Sequence, residues 1–275
     1  MVDHVAEIVG HYEDRYDESA RLSEPAGRLE FLRTTQVLLR YLGSTPLSVA
    51  DVGGGPGVYA EWLARRGHHV VLIDPVERHV AEALRRAPDD AALSAHVGDA
   101  RELHLEDGSM DIVLLLGPLY HLLEPLDRVR ALTEAGRVLR PGGRLFAAGI
   151  SRFASIHDGL VKRYVREPEF AAIMRSDLES GRHENPSRRP DWFTSAYFHR
   201  PEDLEAEVVE AGFVDVAVLG VEGLAGWLGD LDDRLADDDE RSIMLEFLAR
   251  VEAEPSLVGA SAHLLALGTK PAPSS

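Results

Sequence analysis

Residues 49–74 read VADVGGGPGVYAEWLARRGHHVVLID, and this stretch decides the fold. An apolar segment leads to Asp51 and a cluster of glycines, a helix-like segment follows, and a second apolar segment ends at Asp74. Glycines let the backbone turn sharply and approach a ligand without obstruction by side chains. The helix that follows directs its N-terminal amides at the same ligand. The stretch therefore predicts a strand, a glycine loop, a helix and a second, parallel strand.

Outside this stretch, strand-like apolar segments continue to alternate with helix-like ones. The segment DIVLLLG, 111–117, is apolar on both faces, as a central parallel strand must be. The strand-like segments are 47–52, 68–74, 93–99, 111–117, 144–150, 213–219 and 264–268. Their alternation with helices predicts an α/β fold, a seven-stranded Rossmann-like sheet with helices on both faces.

One part of the chain interrupts this alternation. Residues 151–200 are aromatic, basic and rich in turn-forming residues, which predicts an insertion after the fifth strand. The sequence then divides into an N-terminal helical cap (1–46), a ligand-binding core (47–150), a lid insertion (151–200) and a segment that completes the sheet with a helical excursion (201–275).

Composition and charge exclude several classes of protein. The net charge is −18 and no run of Lys or Arg offsets it, so nucleic acid is not expected as a partner. The absence of cysteine excludes thiol chemistry. The longest apolar stretch, 112–123, is well short of the roughly 20 residues that a membrane-spanning helix needs. No signal-peptide pattern is seen, so a cytoplasmic location without membrane association is expected.

Two kinds of nucleotide-type ligand fit such a glycine loop: a dinucleotide, or a ligand that carries a positive charge. The dinucleotide pattern GxGxxG fails at Val58, although its variant GxGxxA is met by Gly55, Gly57 and Ala60. A dinucleotide brings a pyrophosphate to the loop and gains nothing from a carboxylate just before the glycines. Asp51 stands at that point, and its charge favours a cationic ligand.

Two further aspartates follow strand-like segments. Asp74 is placed to accept hydrogen bonds from both hydroxyls of a ribose. Asp99 ends the third segment and is placed to accept one from the exocyclic amine of adenine. Either aspartate alone fits a helix cap or a turn equally well. Acidic residues at three consecutive strand ends favour a shared ligand site.

With these motifs, the chain resembles the class I S-adenosylmethionine-dependent methyltransferases of the small-molecule type. The resemblance covers about residues 28–150. It depends on the order and spacing of DVGGGPG, LIDP, VGDARELHLEDGSMDIVLLLGPLYHL and VLRPGGRL. It implies S-adenosylmethionine as the cofactor and methyl transfer as the activity, but it does not specify the substrate.

The resemblance also implies roles for individual residues. Gly53, Gly54 and Gly55 pass close to the methionine part of the cofactor, and Asp51 acts through the loop and ordered water. Asp74 binds the ribose. The remaining cofactor contacts are Asp99 and the Ala100 amide at the adenine, the Leu116 carbonyl at the methionine amine, Arg33 at the methionine carboxylate, and Tyr16 as a lid contact. For Arg33, an ordinary surface arginine is the equally weighted alternative.

On the acceptor side, His121 in GPLYHL is a candidate general base with Tyr120 beside it, because histidine titrates near neutrality. The alternative is that both residues cap the core beneath the lid. Weaker candidates of the same kind are His183 and His199. The insertion also supplies side chains for an acceptor pocket or for packing the lid: Arg182, Arg188, Arg189, Trp192, Phe193, Tyr197 and Phe198.

The sequence thus favours O- or N-methylation of a small organic molecule, with secondary metabolism as one expected context. No tetrad of the Asn-Pro-Pro-Tyr type follows the fourth strand, which disfavours DNA and protein-glutamine substrates. No metal site is expected, because no Asp/His cluster has a recognisable spacing and the acidic residues 230–240 suit a solvated loop or helix start. Two alternatives stay open: an NAD(P)-dependent oxidoreductase and a non-catalytic S-adenosylmethionine-binding protein. The sequence does not fix the oligomeric state.

Overall fold

The computed structural model describes residues 22, 24–87, 92–189 and 191–272. Within these residues, nine strands form one sheet. The strands are β1 (Ser48–Val52), β2 (His69–Asp74), β3 (Leu93–Val97), β4 (Met110–Leu115), β5 (Leu139–Ser151), β6 (Arg182–His183), β7 (Ala196–His199), β8 (Val214–Gly220) and β9 (His263–Thr269).

The first five strands form the parallel part of the sheet. They lie side by side in the order β3-β2-β1-β4-β5. Strand β9 pairs antiparallel with β5, and β8 pairs antiparallel with β9. The last residues of β5 also pair with β7, which forms a short hairpin with β6. The carboxyl ends of β1 to β5 therefore meet at one edge of the sheet.

Helices connect the strands and cover both faces of the sheet. They are α1 (Pro25–Leu38), α2 (Val58–Ala64), α3 (Glu77–Arg86), α4 (Pro118–His121), α5 (Pro125–Val138), α6 (Ala154–Val161), α7 (Pro168–Ser180), α8 (Pro201–Glu210), α9 (Leu231–Ala236), α10 (Asp238–Val251) and α11 (Pro255–Val258). Two 3-10 helices, Tyr164–Arg166 and Gly223–Trp227, follow α6 and β8.

The alternation of side chains along the central strands builds a core on each face. In β4, Ile112 and Leu114 pack on one side with residues of α1, α2 and α3. Val113 and Leu115 pack on the other side with residues of α5 and α8. These four side chains are nearly or fully buried, as the doubly apolar segment predicts.

The seven-stranded Rossmann-like sheet is confirmed, with differences in detail. The seven predicted strands correspond to β1–β5, β8 and β9, and β6 and β7 are additional short strands within the insertion. Strand β5 begins at Leu139 rather than near Arg144. Its pairing with β4 jumps from Met110–Leu139 to Ile112–Arg144, so the RPGG segment bulges out of the ladder instead of ending before the strand.

The insertion predicted at residues 151–200 follows β5, and much of it is helical. Helix α7 begins with Pro168, and Gly181, with a φ of 76°, follows its last residue. Both are ordinary helix boundary signals. A small apolar cluster holds α7 in place: Phe170 and Ile173 pack against the buried Trp192.

The acidic residues 230–240 form helix starts, as expected. The Asp237 side chain caps α10 by accepting a hydrogen bond from the Glu240 amide at 2.8 Å. Among the described residues, none of the helices has the length and apolar character needed to span a membrane. The cytoplasmic location stays a prediction.

The structure gives a matched test of the glycine loop. Gly57 and Gly67 both have a φ of 86°, but a Cβ on Gly57 would lie 2.7 Å from the Ala83 Cβ, whereas a Cβ on Gly67 would meet nothing within 4 Å. We expect Gly67→Ala to cost about 1–2 kcal/mol of unfolding free energy from backbone strain. Gly57→Ala should cost about 1–3 kcal/mol more because of overpacking. Urea unfolding followed by circular dichroism measures both, and equal losses would contradict the steric argument.

Candidate active site

A crevice lies along the carboxyl edge of the sheet, where β1, β2, β3 and β4 end. The predicted site residues that line it are Asp51, Gly53, Gly54, Gly55, Asp74, Asp99, Ala100, Leu116, Tyr120 and His121. Asp74 and Asp99 thus face one shared cleft. Arg33 is not among the lining residues, and Tyr16 lies outside the described residues.

The glycine loop forms the floor of the crevice at the end of β1. Gly53 has a φ of 68°, and its amide donates a hydrogen bond to the Ile73 carbonyl at 2.6 Å. A Cβ at this position would lie 2.6 Å from Pro118, which begins α4 after β4. Only glycine therefore lets the loop pass this close to the end of β4.

Asp51 is fully buried beneath the loop. Neither of its carboxylate oxygens has a hydrogen-bond partner among the described residues. Burial raises the pKa of Asp51 to about 7, and the charge of Asp74 adds to this rise. The backbone of Ala60 lowers the same pKa, but it makes no hydrogen bond of ordinary geometry with the carboxylate. A buried carboxylate in this state favours a proton or a positively charged ligand beside it.

Asp74 connects three parts of the crevice. Its Oδ2 accepts a hydrogen bond from the Gly55 amide at 2.8 Å. Its Oδ1 accepts one from the Val76 amide at 2.9 Å and lies 3.1 Å from Nδ1 of His79, in the first turn of α3. The carboxylate fixes the shape of the glycine loop and keeps unused lone pairs for a ligand.

Asp99, two residues beyond β3, is held by Arg101. The Arg101 guanidinium donates to both carboxylate oxygens, at 3.0 Å to Oδ1 and 2.6 Å to Oδ2, and also pairs with Asp127 at 3.0 Å. Partial burial raises the pKa of Asp99, but the hydrogen bonds and charge of Arg101 outweigh it and keep that pKa below its usual value. Asp99 is therefore a fixed, ionised acceptor at the rim of the crevice.

Tyr120 and His121 line the crevice from α4. Tyr120 donates a hydrogen bond from its hydroxyl to the Leu116 carbonyl at 3.2 Å. Phe193, from the insertion, stacks on His121 with ring centroids 5.9 Å apart and an interplanar angle of 24°. Tyr120 packs edge-on against the same phenylalanine. The insertion thus contributes a side chain next to α4.

The structure contradicts the prediction for Arg33. Its side chain is only 1% exposed, and it donates to Glu252 at 2.6 Å and to the Val221 carbonyl at 3.1 Å. Glu252 also pairs with Arg40. Arg33 is neither a cofactor ligand nor a surface residue, because it lies on the face of α1 that packs against the end of α10 and forms a buried ion pair there.

Two of the candidate arginines and both candidate histidines of the insertion have other partners. Arg182 pairs with Glu124, and Arg189 pairs with Glu167 and Asp191. None of the insertion's arginines lines the crevice in the described part of the chain. The buried His183 and His199 lie against Asp177 and Glu207, at 2.8 and 3.1 Å, away from the crevice. Their role as bases is not supported.

Two residues of the site escaped the sequence analysis. His79 contacts Asp74, and the only sequence signal was its position in the first turn of the helix after β2. Glu30 lines the crevice from α1. It lies three residues before Arg33, which was the predicted cofactor contact because of its positive charge. In α1, however, the glutamate rather than the arginine faces the crevice.

The glycine loop, the acidic strand ends and the strand order together define the class of nucleoside-binding α/β enzymes, and comparisons identify the family. A family model described as a methyltransferase domain matches residues 50–147. A ubiquinone/menaquinone biosynthesis C-methyltransferase of Acidiphilium cryptum is 30% identical over 64% of this chain and 70% of that protein. An uncharacterized methyltransferase of Mycobacterium tuberculosis is 42% identical over 35% of this chain and 37% of its own.

The fold agrees with solved structures of the same class. An S-adenosylmethionine-dependent methyltransferase from Methanosarcina mazei has a TM-score of 0.58 at 18% identity and covers 86% of this chain and 98% of its own. The chain therefore belongs to the class I S-adenosylmethionine-dependent methyltransferases, and its cofactor is S-adenosylmethionine. The chain spans less than half the length of the first curated relatives it matches, 37% to 44%.

The raised pKa of Asp51 predicts that the free energy of unfolding of the protein without ligand depends on pH. Because its pKa rises from 3.8 to about 7 on folding, the folded protein binds more protons than the unfolded chain in this window. Stability should therefore fall as the pH rises from about 4 to 7, by an amount of the order of 4 kcal/mol at most. Asp51→Asn should remove this component. Urea unfolding at pH 5 and pH 8 tests it, and identical pH dependences of the two proteins would contradict the assignment.

Proposed function

We propose that the protein transfers the methyl group of S-adenosylmethionine to an oxygen or nitrogen atom of a small organic molecule. One observation carries this proposal: the glycine loop, the three acidic strand ends and the pair Tyr120 and His121 line one continuous crevice. Groups suited to the cofactor and groups suited to an acceptor therefore share one space. Direct transfer between two bound molecules requires this proximity, which is worth up to about 7–11 kcal/mol of the barrier.

The residues present fit this cofactor. Asp51 is a buried carboxylate whose oxygens have no hydrogen-bond partner in the described part of the chain, which suits a ligand carrying positive charge. The close approach of the loop at Gly53, where a Cβ would meet Pro118, keeps the loop free of side chains. A pyrophosphate, as in a dinucleotide, would be repelled by Asp51 and Asp74.

In this proposal each strand end holds a different part of the cofactor. Gly53, Gly54 and Gly55 lie along the methionine part, and the Leu116 carbonyl accepts from its amine. Asp74 accepts from the ribose, for which at least one lone pair of Oδ2 is available beside the Gly55 amide. Asp99 and the Ala100 amide bind the adenine. The Arg101 contacts orient the Asp99 carboxylate for this bond.

When bound, the cofactor supplies a methyl group on a positively charged sulfur, which keeps the bonding electrons when the acceptor's lone pair displaces it. The protein's task is to position the acceptor and exclude water. Phe193, from the insertion, stacks on His121 and shields one face of that ring. In this proposal a ring nitrogen of His121 takes the proton that a hydroxyl or ammonium acceptor releases.

The charges of the crevice restrict the acceptor. Its charged lining residues are Glu30, Asp51, Asp74 and Asp99, and no Lys or Arg lines it among the described residues. Arg182 and Arg189 of the insertion are engaged in ion pairs, so they do not support recognition of an acidic acceptor. A neutral or cationic small molecule suits these charges.

The cofactor assignment is tested by Asp74→Ala. We expect the affinity for S-adenosylhomocysteine, measured by calorimetry, to fall about 30-fold, or roughly 2 kcal/mol, because two hydrogen bonds of about 1 kcal/mol each are lost. Asp111→Ala is the matched control, since Asp111 also accepts a backbone hydrogen bond, from Ser48 at 2.8 Å, but at the opposite edge of the sheet. Equal affinities in wild type and Asp74→Ala would refute the assignment.

The proposed role of His121 as a general base is tested by measuring turnover. A panel of hydroxyl- and amine-bearing small molecules is screened with methyl-labelled cofactor, and His121→Ala is then assayed with the acceptor found. We expect turnover to fall at least 100-fold, as for the loss of a general base. The exposed His104→Ala serves as the control. A fall of less than about threefold, or 0.65 kcal/mol, would remove His121 as an essential base.

A further inference from the structure

Three potential metal ligands converge beside the crevice from distant parts of the chain. Glu30 lies on α1, Glu222 follows β8, and His263 begins β9, where it pairs with Ile150 at the carboxyl end of β5. Nδ1 of His263 lies 2.5 Å from Oε1 of Glu222 and 3.8 Å from Oε2 of Glu30. One ligand atom from each residue lies within 4.8 Å of the other two.

The three side chains are shielded from solvent. Their exposed fractions are 13% for Glu30, 4% for Glu222 and 25% for His263. Glu222 is fixed through its second oxygen, Oε2, which accepts hydrogen bonds from the Ser261 hydroxyl at 2.7 Å and the His263 amide at 3.0 Å. Its Oε1 therefore points at the imidazole. Two carboxylates converge on one ring nitrogen, which places two negative charges around a single point.

We propose that Glu30, Glu222 and His263 bind a divalent transition-metal ion. One imidazole nitrogen and two carboxylate oxygens suit ions such as Zn²⁺ and Mn²⁺, whereas Ca²⁺ and Mg²⁺ prefer oxygen ligands alone. Ligands about 2.1 Å from a tetrahedral ion lie roughly 3.4 Å apart. The observed separations of 2.5 and 3.8 Å lie on either side of this value, so small side-chain shifts suffice. The ion takes the place of the proton between Nδ1 and Glu222.

The position of Glu30 connects this metal site to the crevice, which it also lines. Three protein ligands leave a coordination position for water or another molecule, as in catalytic metal centres. An acceptor oxygen or nitrogen bound there would lose its proton more readily. This catalytic role depends on the proposed methyl transfer, whereas binding of the ion does not.

Metal binding is tested on the full chain after treatment with a chelator. Calorimetric titration with Zn²⁺ should show one saturable site, and Glu30→Gln and His263→Ala should each weaken it at least 10-fold. The matched control for adventitious binding to surface histidines is His96→Ala, because His96 is exposed and lies on β3, and it should leave the site unchanged. Circular dichroism melting of each variant confirms that it is folded.

The outcomes separate the metal site from the proposed function. Zn²⁺ binding that is absent in wild type, or equally tight in Glu30→Gln and His263→Ala, would overturn the metal site, and the ion pair of His263 with Glu222 would then be purely structural. S-adenosylhomocysteine is titrated into the same wild-type preparation. Its failure to bind would count against the proposed function, whatever the Zn²⁺ titration gives.

Discussion

The carboxylate of Asp74 is the interaction on which the crevice depends. It binds the Gly55 amide of the glycine loop and the Val76 amide beyond β2, and it contacts His79 of α3. Hydrogen bonds to a charged acceptor in a buried place are worth about 1.5–3 kcal/mol each, more than neutral ones. A single side chain therefore joins the first strand's loop, the second strand and the following helix.

The concentration of negative charge at this edge explains the choice of ligand. Asp51 and Asp74 lie at the ends of neighbouring strands, and burial together with the charge of Asp74 raises the pKa of Asp51 to about 7. A ligand with positive charge relieves this repulsion, whereas a dinucleotide pyrophosphate would increase it. The same physical argument separates the methyltransferase family from the oxidoreductase alternative that the glycine pattern alone left open.

Much of the fold and most of the crevice could be predicted from sequence, because both follow from local rules. Apolar segments of strand length predicted the seven core strands, and parallel strands place their carboxyl ends at one edge. Asp51, Asp74 and Asp99 therefore had to meet. Residues 151–200 were harder, since the apolar contacts that fix their helices involve few residues, such as Phe170 and Trp192. The boundary signals at Pro168 and Gly181 were present but are weak without that cluster.

Side-chain partners between distant segments could not be predicted. Arg33 was expected at the cofactor, but its partner Glu252 lies 219 positions further along the chain. Spacing along the sequence likewise gave no sign of the cluster of Glu30, Glu222 and His263, because three separate elements supply it.

The sequence by itself determined the order of strands and helices, the glycine loop and the acidic strand ends, since these depend on backbone conformation and short-range periodicity. Only the tertiary structure decided which face of α1 meets the sheet, and with it that Glu30 faces the crevice while Arg33 is buried. The physical reason is that the rotation of a helix on a sheet is set by the packing of all its neighbours, which no local pattern contains.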